Sequence, residues 1–234
     1  MQKDKETVAA VIVAAGAGKR MGGLDKAFCT LVKYPVLVYT LDVFEKSPLV
    51  DCIVVVVREQ SVVKTQALSN QFGWKRIKSI CAGGQQRAES VRAGLKYTDG
   101  HDWVIIHDGT RPFVTCEMIE RGLSTARRTG ASTAAVPVKD TIKIVSKELE
   151  VVQTPDRESM WLSQTPQVFR RDLLVHAYAS SQRGFIDEAS LIEEMGIAVR
   201  VYWGSYDNIK ITTPEDLELA KLIACRRGSK LVTT

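Results

Sequence analysis

A chain of 234 residues, 45% of them hydrophobic, can bury one large core, and its length falls in the range of a single α/β domain. The formal charge is +5 with 25% charged residues, which suits an anionic partner; the lysines and arginines are dispersed and not interleaved with aromatics, so a phosphorylated small molecule explains them better than nucleic acid does. Apolar runs such as residues 53–57 are far too short for a membrane span, and the five cysteines form no C-x-x-C pair that would suggest zinc or a redox dithiol.

Residues 1–7 are polar and lead straight into an apolar run at 8–14, without the apolar segment of a signal peptide, so the protein reads as cytoplasmic. Further short runs rich in valine and isoleucine stand at 52–57, 77–81, 103–107 and 132–137, the kind buried on both faces of a parallel sheet. Amphipathic stretches at 35–46, 87–97 and 115–129 are long enough for crossover helices. This alternation predicts an α/β fold, a doubly wound and mostly parallel sheet. The rhythm breaks between 139 and 164. Residues 141–145 alternate polar and apolar, a charged turn follows, and 150–153 returns, which predicts a β-hairpin arm over about 138–164. Such a hairpin is too small to be stable alone. It is therefore expected to lie across a second subunit, giving a homodimer. Helices at 170–182 and 187–195, a strand at 198–202 and a last helix at 214–225 complete the pattern, with Thr213, Pro214 and Asp216 marking the last helix start.

The first strand runs directly into VIVAAGAGKRMGG, and ligands of open parallel sheets bind at the carboxyl ends of strands. This is not a Walker loop, because Lys19 is followed by Arg20 instead of serine or threonine. It is a poor dinucleotide fingerprint too, since Met21 fills the third glycine position. What remains is a turn in which Gly16 and Gly18 let backbone N–H groups approach an anion, with Lys19, Arg20 and Lys26 supplying positive charge. A triphosphate suits it, although a plain strand-to-helix turn with solvated cations would have the same composition.

Several later residues allow two readings on their own. Asp108 ends a buried strand, where an aspartate either forms a turn or faces a ligand. Arg87 can be a solvated charge at a helix start, Thr141 and Arg157 ordinary hairpin residues, and Asp187 and Glu188 helix caps. His107 lies at a strand end and is expected to be hydrogen-bonded, not catalytic. No G-x-S-x-G, H-E-x-x-H or Walker lysine–serine pair is present, which argues against a serine hydrolase, a metallohydrolase and a kinase acting on an alcohol.

The run A-A-G-x-G-x-R-M followed by a lysine resembles the signature of sugar-phosphate nucleotidylyltransferases. Four further segments, AGGQQRAESVRAGL, WVIIHDGTRPFV, VPVKDTIKIV with TPDRESMW, and GSYDNIKITTPEDL, narrow the likeness to the methylerythritol phosphate cytidylyltransferases over about residues 8–225. The resemblance implies a Rossmann-like nucleotidyltransferase fold that moves CMP from CTP onto 2-C-methyl-D-erythritol 4-phosphate. By the same resemblance Ala14, Ala15, Gly16, Gly18 and Lys19 wrap the triphosphate, and Arg20 and Lys26 offset charge at the α-phosphate. Gly83, Arg87 and Ser90 would contact the nucleotide; Asp108 and Asp207 would bind Mg2+, with Asp108 also facing CTP. Arg111, Thr141, Arg157 and Thr165 would serve the acceptor phosphate, Thr141 and Arg157 from across the dimer, and Lys210 would bind phosphate near the acceptor. Four positions depart from the family pattern: Ala27 where glutamine is common, Gln85 where aspartate is frequent, and Gly109 and Thr110 in place of two alanines. Since a phosphate monoester is largely ionised at neutral pH, the chemistry needs no general base. Competing expectations are a ribitol 5-phosphate cytidylyltransferase, a catalytically inactive nucleotide-binding homologue and, more remotely, an NAD-dependent oxidoreductase.

Overall fold

The structure, a computed structural model, describes residues 6–16, 25–181 and 185–228. In chain order the elements are β1 (Val8–Ala14), β2 (Thr30–Leu31), β3 (Tyr34–Pro35), α1 (Val36–Lys46), β4 (Cys52–Val57), α2 (Val62–Phe72), β5 (Ile77–Ala82), α3 (Arg87–Leu95) and β6 (Trp103–Asp108). There follow α4 (Cys116–Ala126), β7 (Ala131–Pro137), β8 (Ile144–Val145), β9 (Val151–Gln153), β10 (Trp161–Arg170), α5 (Arg171–Ser180), α6 (Glu188–Glu193), β11 (Arg200–Trp203) and α7 (Pro214–Arg227).

The central sheet has strand order β11-β7-β10-β6-β1-β4-β5. β1 pairs in parallel with β4 on one side and β6 on the other, so the order of strands reverses beside β1, where open α/β sheets leave a crevice for ligands. Every residue of β1 is buried because the two faces of the strand serve two cores. Ala10, Ile12 and Ala14 pack with Leu37, Leu41 and Phe44 of α1 and Met118 and Ile119 of α4. Ala9, Val11 and Val13 pack with Val91 of α3, Leu174 and Ala177 of α5 and Ile192 of α6. The continuous apolar runs thus have the origin expected of them.

Four elements were not foreseen, the short strands β2 and β3 and two larger ones. The first of the larger two is α2, whose sequence VVKTQALSNQF is mostly polar beyond its first turn and stands against the edge of the sheet beside β5. The second is β10, which runs antiparallel between β6 and β7. Pro166 lies inside it and has no N–H to donate; the register with β7 shifts between Ser163 and Gln167, so a proline survives in an interior strand only at an irregularity.

A hairpin is present over a shorter span than the expected 138–164: β8 and β9 pair antiparallel and join no other strand of the described residues, whereas residues 161–164 belong to β10 and pair with β7 in the central sheet. Its apolar side chains Val145, Leu149, Val151 and Val152 are exposed. Among the described residues no helix is long and apolar enough to cross a membrane.

Candidate active site

A cavity opens at the carboxyl ends of β1 and β6, walled by Ala14 at the end of β1, Ala15 and Gly16 after it, Gly84 to Arg87 leading into α3, Lys26, Asp108 and Lys210. Gly83 is held at its edge by close packing: a Cβ there would come within 2.4 Å of the Ala15 Cβ and 2.5 Å of the Ser90 Oγ. The hydroxyl of Ser90 accepts from the Gly84 N–H (3.2 Å) and reaches the Gln86 carbonyl (3.2 Å), which folds the glycine turn against α3. A capping box between Gln86 and Glu89 starts that helix, and Gln86 and Arg87 at its beginning line the cavity. Gly109 follows the same logic as Gly83. A Cβ there would meet the Ala14 Cβ at 2.9 Å and Leu37 Cδ1 at 3.0 Å, so the departure from alanine relieves crowding between β6 and β1.

Asp108 is the electrostatic centre. Its carboxylate takes Lys210 Nζ at 2.9 Å, Arg87 Nε at 3.3 Å and Arg111 Nε at 3.3 Å. Burial would push this carboxyl up, but Lys210, Arg87 and Arg111 outweigh it and hold the group well below the usual carboxylate range. Arg111 also donates to the carbonyl of Asn208 (2.8 Å), tying the strand end to the loop that presents Lys210. Arg111 is therefore a brace behind Asp108 and does not itself line the cavity. Thr165 has a similar place. Its hydroxyl accepts the Asp108 N–H (3.0 Å) and lies 3.0 Å from His107 Nδ1. His107 Nε2 faces the carbonyl of Arg111 at 3.3 Å and must carry the proton to donate there, which leaves Nδ1 to accept from Thr165. The threonine proton is spent on the imidazole, not on an outside phosphate.

Lys26 stands on a short turn, Lys26–Phe28, fastened on both sides. Asp25 before it pairs with Arg58 (2.7 Å) and Ser61 (2.8 Å), and Ala27 after it is buried in the core. Gly18, Lys19 and Arg20 lie outside the described residues. Thr141 and Arg157 are exposed on the arm; Arg157 donates to the carbonyl of Lys139, eighteen residues earlier in the chain (3.3 Å), and neither residue lines the cavity. The expected partnership of Asp108 with Asp207 is not what the side chains form. Asp207 is held by Arg226 and Arg227 of α7 and is not part of the cavity wall.

A family model described as 2-C-methyl-D-erythritol 4-phosphate cytidylyltransferase matches residues 8–226. The chain belongs to this family. A relative of that name from Dehalococcoides mccartyi is 44% identical over 218 residues, covering 93% of this chain and 96% of its own. Among solved structures, 4-diphosphocytidyl-2C-methyl-D-erythritol synthase from Anaerococcus prevotii superposes with a TM-score of 0.85 at 30% identity, covering 94% of this chain and 97% of that one. The cytidylyltransferase from Thermus thermophilus gives 0.73 at 28% identity, with 92% and 98% covered. The chain is accordingly a cytidylyltransferase, and the nicotinamide and ribitol phosphate alternatives are not favoured.

Some parts of this cytidylyltransferase site had no signal in the sequence. Glu188 is completely buried and binds Arg87, whereas its neighbour Asp187 does cap α6, accepting from the Ser190 N–H at 2.9 Å. His107 was expected to be hydrogen-bonded, and it is; burial pushes its imidazole down to about 3. The unfolded chain, with an ordinary histidine near 6.5, then binds the extra proton between those values. Stability from this group is full above about pH 6.5 and is lost as pH falls toward about 3. Between pH 7 and pH 5 the protein in EDTA is expected to lose about 2 kcal/mol from this source, which urea unfolding of the wild type and His107→Gln would read as a difference in slope. Equal slopes would remove the buried neutral imidazole from the account.

Proposed function

We propose that CMP passes from CTP to 2-C-methyl-D-erythritol 4-phosphate in the cavity beside Asp108, supplying isoprenoid precursor synthesis by the non-mevalonate route. The carrying observation is the convergence of Lys210, Arg87 and Arg111 on one buried carboxylate, next to the glycine turns and the start of α3, at the reversal of strand order. A phosphate oxygen of the acceptor attacks the α-phosphorus, a new P–O bond forms, the bond to the β-phosphate breaks and pyrophosphate leaves. The nucleophile is already ionised, so positioning and charge neutralisation are the protein's tasks.

Backbone N–H groups at Gly16 and at the start of α3 would hold phosphate oxygens, with Lys26 over the triphosphate and the packed glycine turn at Gly83 and Gly84 leaving room for the base. Lys210 lies within reach of both Asp108 and an entering phosphate. Magnesium accepts one or two carboxylates plus substrate phosphates, and Asp108 lines the cavity; its oxygens would hold the ion as Lys210, Arg87 and Arg111, which now hold them, turn to the triphosphate. Bound there, the metal would neutralise triphosphate oxygens. Asp207 would join it only by leaving Arg226 and Arg227.

The acceptor half of the site is proposed to come from a second copy of the chain. Exposed Leu149, Val151 and Val152 on the hairpin suit burial against another subunit, and Thr141 and Arg157 would then reach the acceptor phosphate. A guanidinium offers paired donors to phosphate that lysine cannot match. Arg157→Ala is expected to raise the acceptor's KM about tenfold or more while the KM for CTP stays put; a change confined to CTP would remove the arm from acceptor binding. A cytoplasmic location follows from the same reading. The whole is tested by pyrophosphate release from CTP and magnesium with 2-C-methyl-D-erythritol 4-phosphate against ribitol 5-phosphate. Faster turnover of ribitol 5-phosphate, or none of either, would overturn it.

A further inference from the structure

We infer that Glu188 is a positioning residue for nucleotide binding, clamping the Arg87 guanidinium so that one of its ends is left to the phosphates in the cavity. Glu188 opens α6 on the far side of Arg87 and is completely buried. Its carboxylate accepts from Arg87 Nη1 at both oxygens (2.9 and 2.7 Å) and from the Tyr178 hydroxyl at 2.9 Å. Arg87 Nε meets Asp108 at the longer distance of 3.3 Å. Among the described residues nothing accepts from Nη2, and Arg87 is part of the cavity wall. A buried ion pair stabilises a fold poorly relative to apolar packing, so a charge this deep calls for a reason beyond stability.

The division of distances supplies that reason. An arginine between two carboxylates settles in favour of the one offering the shorter charge-assisted bonds. Without Glu188, Arg87 would turn its fork onto Asp108, adding to Lys210 and Arg111 there and withdrawing its end from the cavity. With Glu188 in place the guanidinium bridges two acids and its plane is fixed, with the short bonds on Glu188 and the longer one on Asp108. Tyr178 holds the clamp in turn: its ring stacks edge-on against Phe185 with centroids 5.4 Å apart, and its hydroxyl donates to Glu188.

The inference rests on Arg87 facing the bound nucleotide, and the test separates the two. In the full-length protein, Glu188→Gln keeps the volume and removes the charge. Calorimetry is expected to give a Kd for CTP about tenfold weaker, with the acceptor's KM unchanged. In an Arg87→Ala background, itself weakened for CTP, adding Glu188→Gln should cost nothing more. Tyr178→Phe, which keeps the ring, should weaken CTP binding about threefold and serves if the glutamine variant does not fold. Wild-type CTP affinity in folded Glu188→Gln or in Tyr178→Phe would overturn the inference. So would an undiminished Glu188→Gln effect in the Arg87→Ala background. Wild-type CTP affinity in Arg87→Ala alone would instead overturn the reading beneath it.

Discussion

Asp108→Asn is expected to lower kcat/KM for CMP transfer by about 10³-fold or more while leaving the fold intact. Asparagine keeps the shape of the side chain, and the backbone N–H still donates to Thr165, so the strand end is undisturbed. What changes is charge. Lys210 and Arg111 lose their shared counterion, and the cavity loses the oxygens best suited to a divalent cation. Asp25, the other acid at the cavity, cannot take over because Arg58 and Ser61 hold it. A triphosphate without magnesium should bind the variant at least as well as the wild type, since the surroundings have become more positive. The gain from adding magnesium should disappear. Calorimetry with CTP in EDTA and in magnesium, beside a pyrophosphate assay, reads both effects. A variant turning over within tenfold of the wild type would remove Asp108 from its proposed office.

How far the sequence led depended on how local each signal was. The buried parallel strands were legible because β1 and β4 are apolar at every position, which only a strand covered on both faces tolerates. The hairpin was legible from its alternation, and β8 and β9 pair where that alternation placed them. α2 was not, because Thr65, Gln66, Ser69 and Asn70 dilute its apolar stripe. β10 was hidden by its proline and by buried Gln164, Thr165 and Gln167, polar residues that make sense only once Thr133, Asp187 and Asn208 arrive from distant segments to pair with them. The site shows the same limit. Asp108 could be picked out by its place at a strand end, yet the roles of Arg111 and Thr165 as supports behind it follow from contacts with Asn208 and His107 that no short motif encodes. Glu188 and Arg87 are 101 residues apart in the chain, and Asp207 finds its arginines on the last helix, so neither pairing leaves a local trace.

Lys26→Ala should lower kcat by about 10²- to 10³-fold and move the melting temperature by no more than about 2 °C. The two halves of that expectation come from different features of one short turn. The turn owes its position to its neighbours: Asp25 is fastened to Arg58 and Ser61, and Ala27 is packed in the core beneath. Removing the Lys26 side chain leaves both anchors in place, so packing hardly changes. The same anchors make the ammonium a preorganised charge at the cavity wall, and preorganised charge is what a transition state with electron density on non-bridging oxygens rewards. Lys26→Arg should restore part of the rate because it restores the charge, though a planar fork does not reproduce a compact ammonium. Asp25→Ala should lower the rate as well, by releasing the turn while Lys26 remains. If Lys26→Ala lost activity only in proportion to a fall in melting temperature, the lysine would be a structural residue and the charge at this corner would have to come from elsewhere.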